Sequence, residues 1–312
     1  MDENPLILVV GSINMDLVVK SPRMPGPGET LLGTGFVTAP GGKGANQAVA
    51  VARQGGRCAF LGRVGQDPFG QTLLAGMRAE GIDCGHVRVT PNAATGVAII
   101  IVDAKGENSI VVASGANFLV TPDDLFHDEN LFAQAKVVVL QLELPLPTVH
   151  AAKALAEKHG CTVILDPAPA PAALPPELCR VDIISPNVTE AEMITGLAAG
   201  EGEDRFGRGI AAELIARGAK AAVLKLGARG SLVMTAGGEI QSVRPYKVNV
   251  VDTTAAGDAF TAAIAVGVAR GLPLSQAAKI ANAAGALACT KFGAQTSMPT
   301  ADEIRILMRD QA

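Results

Sequence analysis

What this sequence lacks narrows its function before any motif is read. There is no surplus of basic residues: 26 Lys and Arg stand against 30 Asp and Glu, a formal net charge of −4. Without a positive field to hold a phosphate backbone or an anionic lipid surface, neither nucleic acid nor membrane is expected as a partner. No apolar run reaches the roughly 18 residues that a membrane span needs, because Gly, Pro or charged residues interrupt each one. The N-terminus opens on Asp2 and Glu3, where a secretory leader carries basic residues, so the following LILVV reads as a buried strand. Cysteine is sparse and unpaired in pattern: Cys58, Cys84, Cys161, Cys179 and Cys289 are odd in number and contain no C-x-x-C. That excludes a disulfide framework and a zinc ribbon, and it fits a reducing, cytoplasmic setting. The four histidines form no H-E-x-x-H, and repeats and low-complexity tracts are absent.

What is present describes a globular α/β protein. Apolar residues make up 48% and charged residues 18% of 312, enough apolar surface to offset the ordering entropy that keeps polar chains unfolded. Short apolar, β-branched runs alternate with helical stretches: Ile7 to Val10, Cys58 to Val64, Val137 to Leu142, Val163 to Asp166, Ile183 to Pro186 and Ala222 to Leu226. Continuous apolar strands between helices imply a mainly parallel sheet covered on both faces. Helix starts are expected at Thr121 before Pro122, at Thr189 with Glu192 as a capping box, and at Thr300 with Glu303 as another. Two segments break the alternation. One is the Gly- and Pro-rich stretch Asp16 to Thr38; the other, Thr95 to Ser114, has two β-rich runs around a polar turn. Together, at about 14–40 and 95–114, they predict a small β-sheet lid standing off the main body. Its apolar face would need cover from a ligand or a second subunit.

Two motifs carry chemistry. The first is Gly41-Gly42-Lys43-Gly44-Ala45-Asn46-Gln47, three glycines around a lysine at the head of an apolar helix. It fits neither a Walker loop nor a dinucleotide fingerprint, the latter because position 47 is Gln. A plain strand-to-helix turn explains the glycines but not Lys43 and Asn46. The second is Asp252-Thr253-Thr254-Ala255-Ala256-Gly257-Asp258, leading into a helix of small residues. Its free backbone N–H groups suit an anion such as a transferring phosphoryl group. Asp258 is placed either to cap the helix or to take a proton from an attacking hydroxyl.

Together, and in order with GSINMD, QLELP, SPNVTEAE, KLGARG and GAQTS, these motifs resemble those of the ribokinase-like (PfkB) carbohydrate kinases across essentially the whole chain. The resemblance implies one kinase domain over 1–312, with a three-layer fold, a central mainly parallel sheet and a protruding β lid. It implies ATP-dependent phosphoryl transfer to O5 of D-ribose, with deoxyribose, fructose or a nucleoside as alternative acceptors, and a silent sugar-binding protein as an alternative of another class. Asn14, Asp16, Gly42, Lys43, Gly44, Ala45, Asn46 and Glu143 match the family's sugar-binding positions. Asp258 matches its general base, and the backbone of Ala255, Ala256 and Gly257 its anion hole. Asn187, Lys225, Leu226, Gly227, Ala228, Arg229, Gly230 and Asn282, with Gly257 and Asp258, fall at nucleotide positions. Glu190 matches a residue acting on Mg²⁺ through water. Asp252, Thr254, Ala288, Lys291, Gly293 and Ser297 match a K⁺ site, and a homodimer through the lid is implied. One departure stands out: DTTAAGD has Ala255 where many family members have Gly, which restricts the backbone there.

Overall fold

The computed structural model describes residues 4–200 and 206–311. Thirteen strands form two sheets: β1 (Leu6–Val10), β2 (Asn14–Lys20), β3 (Gly35–Gly41), β4 (Arg57–Gly65), β5 (Asp83–Thr90), β6 (Gly96–Val102), β7 (Asn108–Ala113), β8 (Ala135–Leu140), β9 (Thr162–Leu165), β10 (Ile183–Ile184), β11 (Ala221–Lys225), β12 (Ser231–Thr235) and β13 (Ile240–Val243). The large sheet has nine strands in the order β13-β12-β11-β10-β9-β8-β1-β4-β5. It is parallel from β5 to β11, and β12 and β13 run antiparallel at one edge.

Alternation along each strand sends side chains to both faces. In β1, Ile7 and Val9 enter one apolar core while Leu6, Leu8 and Val10 enter the other. The first core also holds the helices Ala256–Ala269 and Leu274–Ala288. Ala262, Ala263, Ala277 and Ala278 are buried between them, and a methyl on Gly267 would press on Ala277. Small residues thus bring these helix backbones close together and anchor the segment that carries Asp258.

From β1 the chain runs outward to β4 and β5, then returns to lay β8 on the other side of β1. This reversal opens a crevice beyond the carboxyl ends of β1 and β8, where open α/β sheets bind ligands. Over the crevice stands the second sheet, ordered β3-β2-β6-β7, which the two helix-poor segments build as expected. Its apolar side chains Phe36, Val37, Ile99, Ile110, Val111 and Val112 are exposed.

Several boundaries differ from expectation. Strand β8 ends at Leu140, so Gln141 to Glu143 turn out of the sheet into the crevice, where Leu142 N–H donates to Ala168 O at 3.0 Å. The helix Val188–Thr195 is capped by Asn187 and Glu190, not by Thr189 and Glu192; Glu192 instead accepts from Ala199 N–H at 2.8 Å. The caps at Thr121 and Thr300 are present. The sequence reading missed β5, β12 and β13; β5 and β13 are edge strands more exposed than the central ones, whereas β12 is buried between β11 and β13. All five cysteines are free thiols, and burial raises the pKa of each. No helix among the described residues is long and apolar enough to cross a membrane.

Candidate active site

The crevice is built from the ends of β1, β8 and β9 and the first turns of two helices. After β1, Gly11 and Ser12 pass so close to Gly44 that a methyl on Gly44 would strike their backbone. Gly42 has φ +88, the left-handed region that glycine enters at no steric cost. This turn starts the helix Lys43–Arg53, whose first N–H groups find acceptors outside the helix: Gly44 N–H donates to Ser12 Oγ at 3.4 Å and Ala45 N–H to Ser12 O at 2.9 Å. Glu143 caps it from across the crevice: its Oε2 accepts from Lys43 N–H at 3.1 Å and from the Ser12 hydroxyl. A carboxylate at a helix N-terminus is stabilised by the dipole.

The lid supplies Asn14 and Asp16 from alternate positions of β2, and hence from one face. Asn14 is buried, and its Oδ1 accepts from Asn117 Nδ2 at 2.7 Å. Asn117 in turn is locked to the Ile13 backbone through both its amide atoms, at 2.9 and 3.2 Å. Asn14 therefore has its acceptor occupied and its amide donor available. Asp16 has its pKa raised to about 7, first by burial and then by the charges of Glu143 and Asp258. Glycine at position 41 leaves room for its carboxylate.

Asp258 lies in the first turn of the helix Ala256–Ala269 and is 4% exposed. Asn46 Nδ2 donates to its Oδ2 and Gln47 Nε2 to its Oδ1, each at 3.0 Å. Burial raises its pKa to about 6; Lys43 works against that shift, Asp166 adds to it, and the two amides lower it. A carboxylate so tuned is mostly ionised at neutral pH and has the basicity that general-base chemistry needs. Burial pulls the Lys43 ammonium down, but Asp258, Asp166, Glu143 and Glu190 outweigh it and hold the group above its ordinary value. Asn46 Oδ1 is buried without a donor among the described residues. An unpaired buried acceptor is costly unless a ligand hydroxyl satisfies it.

Ala255, just before that helix, has φ +59, a left-handed conformation costly for any residue with a Cβ. The alanine-for-glycine departure thus falls at the position where glycine is favoured. Of the predicted anion-hole donors, Ala256 N–H turns back to Thr253 O at 3.3 Å. Gly257 and Asp258 occupy first-turn positions, where helical geometry provides no acceptor.

The nucleotide-side residues are more dispersed. Lys225 ends β11 and donates from Nζ to Asp166 Oδ1 at 2.8 Å. Asn187 pairs with the Lys225 backbone as an isolated bridge, and Asn187 and Glu190 cap each other at 2.8 Å. The element read as phosphate-facing is therefore also a capping box. Burial raises the Glu190 pKa, Lys225 lowers it and Asp166 raises it. Leu226 N–H closes a turn onto Gly230 O at 2.8 Å around exposed Gly227, Ala228 and Arg229, and the Arg229 guanidinium stacks 4.4 Å from the Phe206 ring centroid. Asn282 is buried, and its amide donates to the carbonyls of Val243 and Arg244 at 3.1 and 3.0 Å. Below the anion hole, Asp252 accepts from Thr254 N–H and Oγ1 at 2.9 and 2.6 Å and from Gly293 N–H at 2.9 Å. Burial acts to raise its pKa, but these donors hold it below its ordinary value. Ala288 and Ser297 are buried on the same side, the Ser297 hydroxyl donating to Ala294 O at 2.8 Å, whereas the Lys291 side chain turns outward to Glu303.

Sequence reasoning did not single out Asp166, Gln141 or Asn117 as site residues, nor Gln47 beyond its place in the motif. Asp166 follows β9 directly, the kind of strand-end position that drew attention to Glu143. The other three are amides, and nothing in a sequence marks which amides meet.

A buried base beside an open helix N-terminus, under a lid bearing an amide and a carboxylate, has the makings of a polyol kinase. Comparison with known proteins agrees. Residues 4–301 match the pfkB family carbohydrate kinase, and the chain belongs to that family. It is 39% identical over 297 residues to the ribokinase of Haemophilus influenzae, covering 95% of this chain and 96% of that one. It is 36% identical over 298 residues to a deoxyribokinase of Salmonella typhi, covering 95% and 96%. The structure of Arabidopsis thaliana ribokinase complexed with ribose and ATP superposes with a TM-score of 0.89 at 35% identity, covering 98% of this chain and 99% of that one.

Proposed function

We propose that this protein phosphorylates D-ribose at O5 with ATP, giving D-ribose 5-phosphate. The observation that carries this reading is Asp258, buried and held through both oxygens at the head of the helix Ala256–Ala269. In the proposed reaction Asn14 donates to one sugar hydroxyl, and Asp16 and Glu143 accept from others. An enzyme that reads hydroxyls through buried polar groups rejects analogues that leave those groups unpaired. Asp258 takes the O5 proton as the oxygen attacks the γ-phosphorus in line, while the bond from the γ-phosphorus to the β,γ-bridging oxygen breaks and ADP leaves with that electron pair. The backbone N–H groups around Gly257 and the Lys43 ammonium stabilise the charge that develops on the phosphoryl oxygens. Asn187, Lys225 to Gly230 and Asn282 border the nucleotide.

The residues present fit the two expected ions. Glu190 uses one oxygen in its cap, which leaves the other for a Mg²⁺-bound water; Mg²⁺, when bound, neutralises phosphate charge. Asp252 is paired by no cation among the described residues, and with the Thr254, Ala288, Lys291 and Gly293 carbonyls and Ser297 it offers the oxygen donors that K⁺ prefers. K⁺ there would supply positive potential beneath the anion hole.

We also propose a homodimer in which the lid's exposed apolar face is covered by a second copy. A light-scattering mass of one chain at assay concentration would contradict this. The relative named as a deoxyribokinase makes 2-deoxyribose the second reading for the acceptor. Measuring ADP release with Mg²⁺-ATP against ribose, deoxyribose, fructose, adenosine and no acceptor tests the assignment. A preference for ribose, enhanced by K⁺, is expected; turnover of another acceptor alone would overturn ribose and keep the kinase.

A further inference from the structure

Behind the base lies a run of buried amides and acids that the reaction above does not use. Gln47 and Gln141 are 0% and 1% exposed, and Asp166 is 1% exposed. The Gln47 amide nitrogen makes two bonds at 3.0 Å, to Asp258 Oδ1 and to Asp166 Oδ2. Its oxygen accepts from Gln141 Nε2 at 2.7 Å. Gln141 lies against Gly11, where any Cβ would strike its side-chain oxygen. Asp166 is held further by Lys225 Nζ at 2.8 Å and Thr261 Oγ1 at 3.1 Å. The order is therefore Gln141 to Gln47, then Gln47 to both carboxylates.

An amide is free to flip unless its neighbours distinguish oxygen from nitrogen. Here the two acids both require a donor, so Gln47 has one sense only, and its oxygen is left to accept from Gln141. We propose that Gln47 is the positioning residue of the catalytic base: it holds the Asp258 carboxylate in its ionised form and aims it at the acceptor. Through Asp166 it also joins the base to Lys225 on the nucleotide side. Gln141 acts at one remove, by donating to the Gln47 oxygen and holding that side chain in place. The proposal rests on the kinase reading above only for its kinetic readout.

The charged groups facing Asp258 come from several elements: Lys43 from the helix that carries Gln47, Asp166 after β9, Asp16 on β2 and Lys225 at the end of β11. Replacing Gln47 removes a neutral donor and leaves all of these in place. A donor to the charged form lowers a carboxyl pKa, so its loss raises it.

The test is the Gln47→Met variant, which keeps the size of the side chain and removes its hydrogen bonds. The acid limb of the kcat profile is expected to move up by about one pH unit, so that kcat falls about threefold at pH 6.5 and on the order of tenfold near pH 5, and recovers as the base ionises at higher pH. KM for both substrates should change little. Gln141→Met should give a smaller shift in the same direction, and the double variant should match Gln47→Met alone, because the second residue acts only through the first. If Gln47→Met does not fold, Gln141→Met carries the test. Loss of activity by the same factor at every pH, with the limb unmoved, would overturn the proposal. A ¹³C titration of the Asp258 carboxyl, assigned by its absence in Asp258→Asn, needs no acceptor. Movement of that titration without turnover of any sugar would leave the positioning role standing and sink the kinase reading. Ribose turnover with the titration unmoved would do the reverse.

Discussion

The two sides of the crevice are built differently. On the acceptor side, side chains hold side chains: Asn117 sets Asn14, the Ser12 hydroxyl holds Glu143, and Asn46 and Gln47 grip Asp258. On the nucleotide side, backbone and caps dominate. Asn187 and Glu190 satisfy each other, Asn282 supports a loop, and Arg229 stacks away on Phe206. Hydrogen-bonded buried groups keep one geometry, whereas exposed turns take theirs from the ligand. On the proposed reading, the acceptor pocket is thus organised before ATP arrives, and the nucleotide side takes its final geometry from the bound nucleotide.

The largest effect that would break this comparison is expected at Asp258. Asp258→Asn should lower kcat by about 10³-fold, within the range for loss of a general base, while ribose still binds. Persistence of near wild-type turnover in a steady-state assay would remove Asp258 from the mechanism. Next comes Asp16→Asn, which should raise KM for ribose by about 100-fold through the loss of a charged acceptor. The same variant sharpens the comparison through stability. The Asp16 carboxyl has its pKa raised from an ordinary 3.8 to about 7, so the folded state binds its proton more tightly than the unfolded state. Stability from this group falls as pH rises from near 4 through about 7, and is at its lowest above that. Without ribose, Asp16→Asn should therefore melt about 2–4 °C above wild type at pH 8 and show little difference at pH 4. An unchanged melting difference across that range would argue against the shift.

On the other side, exchanging K⁺ for a large organic cation should reduce activity by about tenfold in wild type and by much less in Asp252→Ala, judged against charge-stabilising effects at such sites. Equal responses in the two proteins would remove Asp252 from the cation site. The smallest effect is local. Ala255→Gly should stabilise the fold by about 1 kcal/mol in denaturant unfolding, because Ala255 sits in a left-handed conformation. A loss of stability would show that the neighbouring turn already compensates for the strain.

This difference also explains how much could be read from the sequence. The two-sheet α/β layout was legible because buried parallel strands are continuous apolar runs and the lid segments lack helical periodicity. The edge strands β5 and β13 were not, since exposure mixes polar residues into them, and the buried β12 was passed over because a short apolar run such as SLVMT has no periodicity that separates strand from helix. The glycine and charged residues of the acceptor side, Gly42, Lys43, Glu143 and Asp258, stood out because close backbone approach and buried charge restrict residue choice sharply. Gln47, Gln141 and Asn117 did not, since an amide on a helix or loop is unremarkable until its partner is known. The start of the helix Val188–Thr195 was misplaced because Asn187 and Thr189 both offer caps with an acid three residues on. The hydrogen bonds choose the first.

The most direct test is a calorimetric titration of D-ribose into the nucleotide-free protein, run beside the same titration of Asp258→Asn and Asp16→Asn. A preorganised acceptor pocket predicts one ribose per chain without ATP, retained in Asp258→Asn and strongly weakened in Asp16→Asn. No ribose binding until a nucleotide is present, or equal binding in all three proteins, would contradict it.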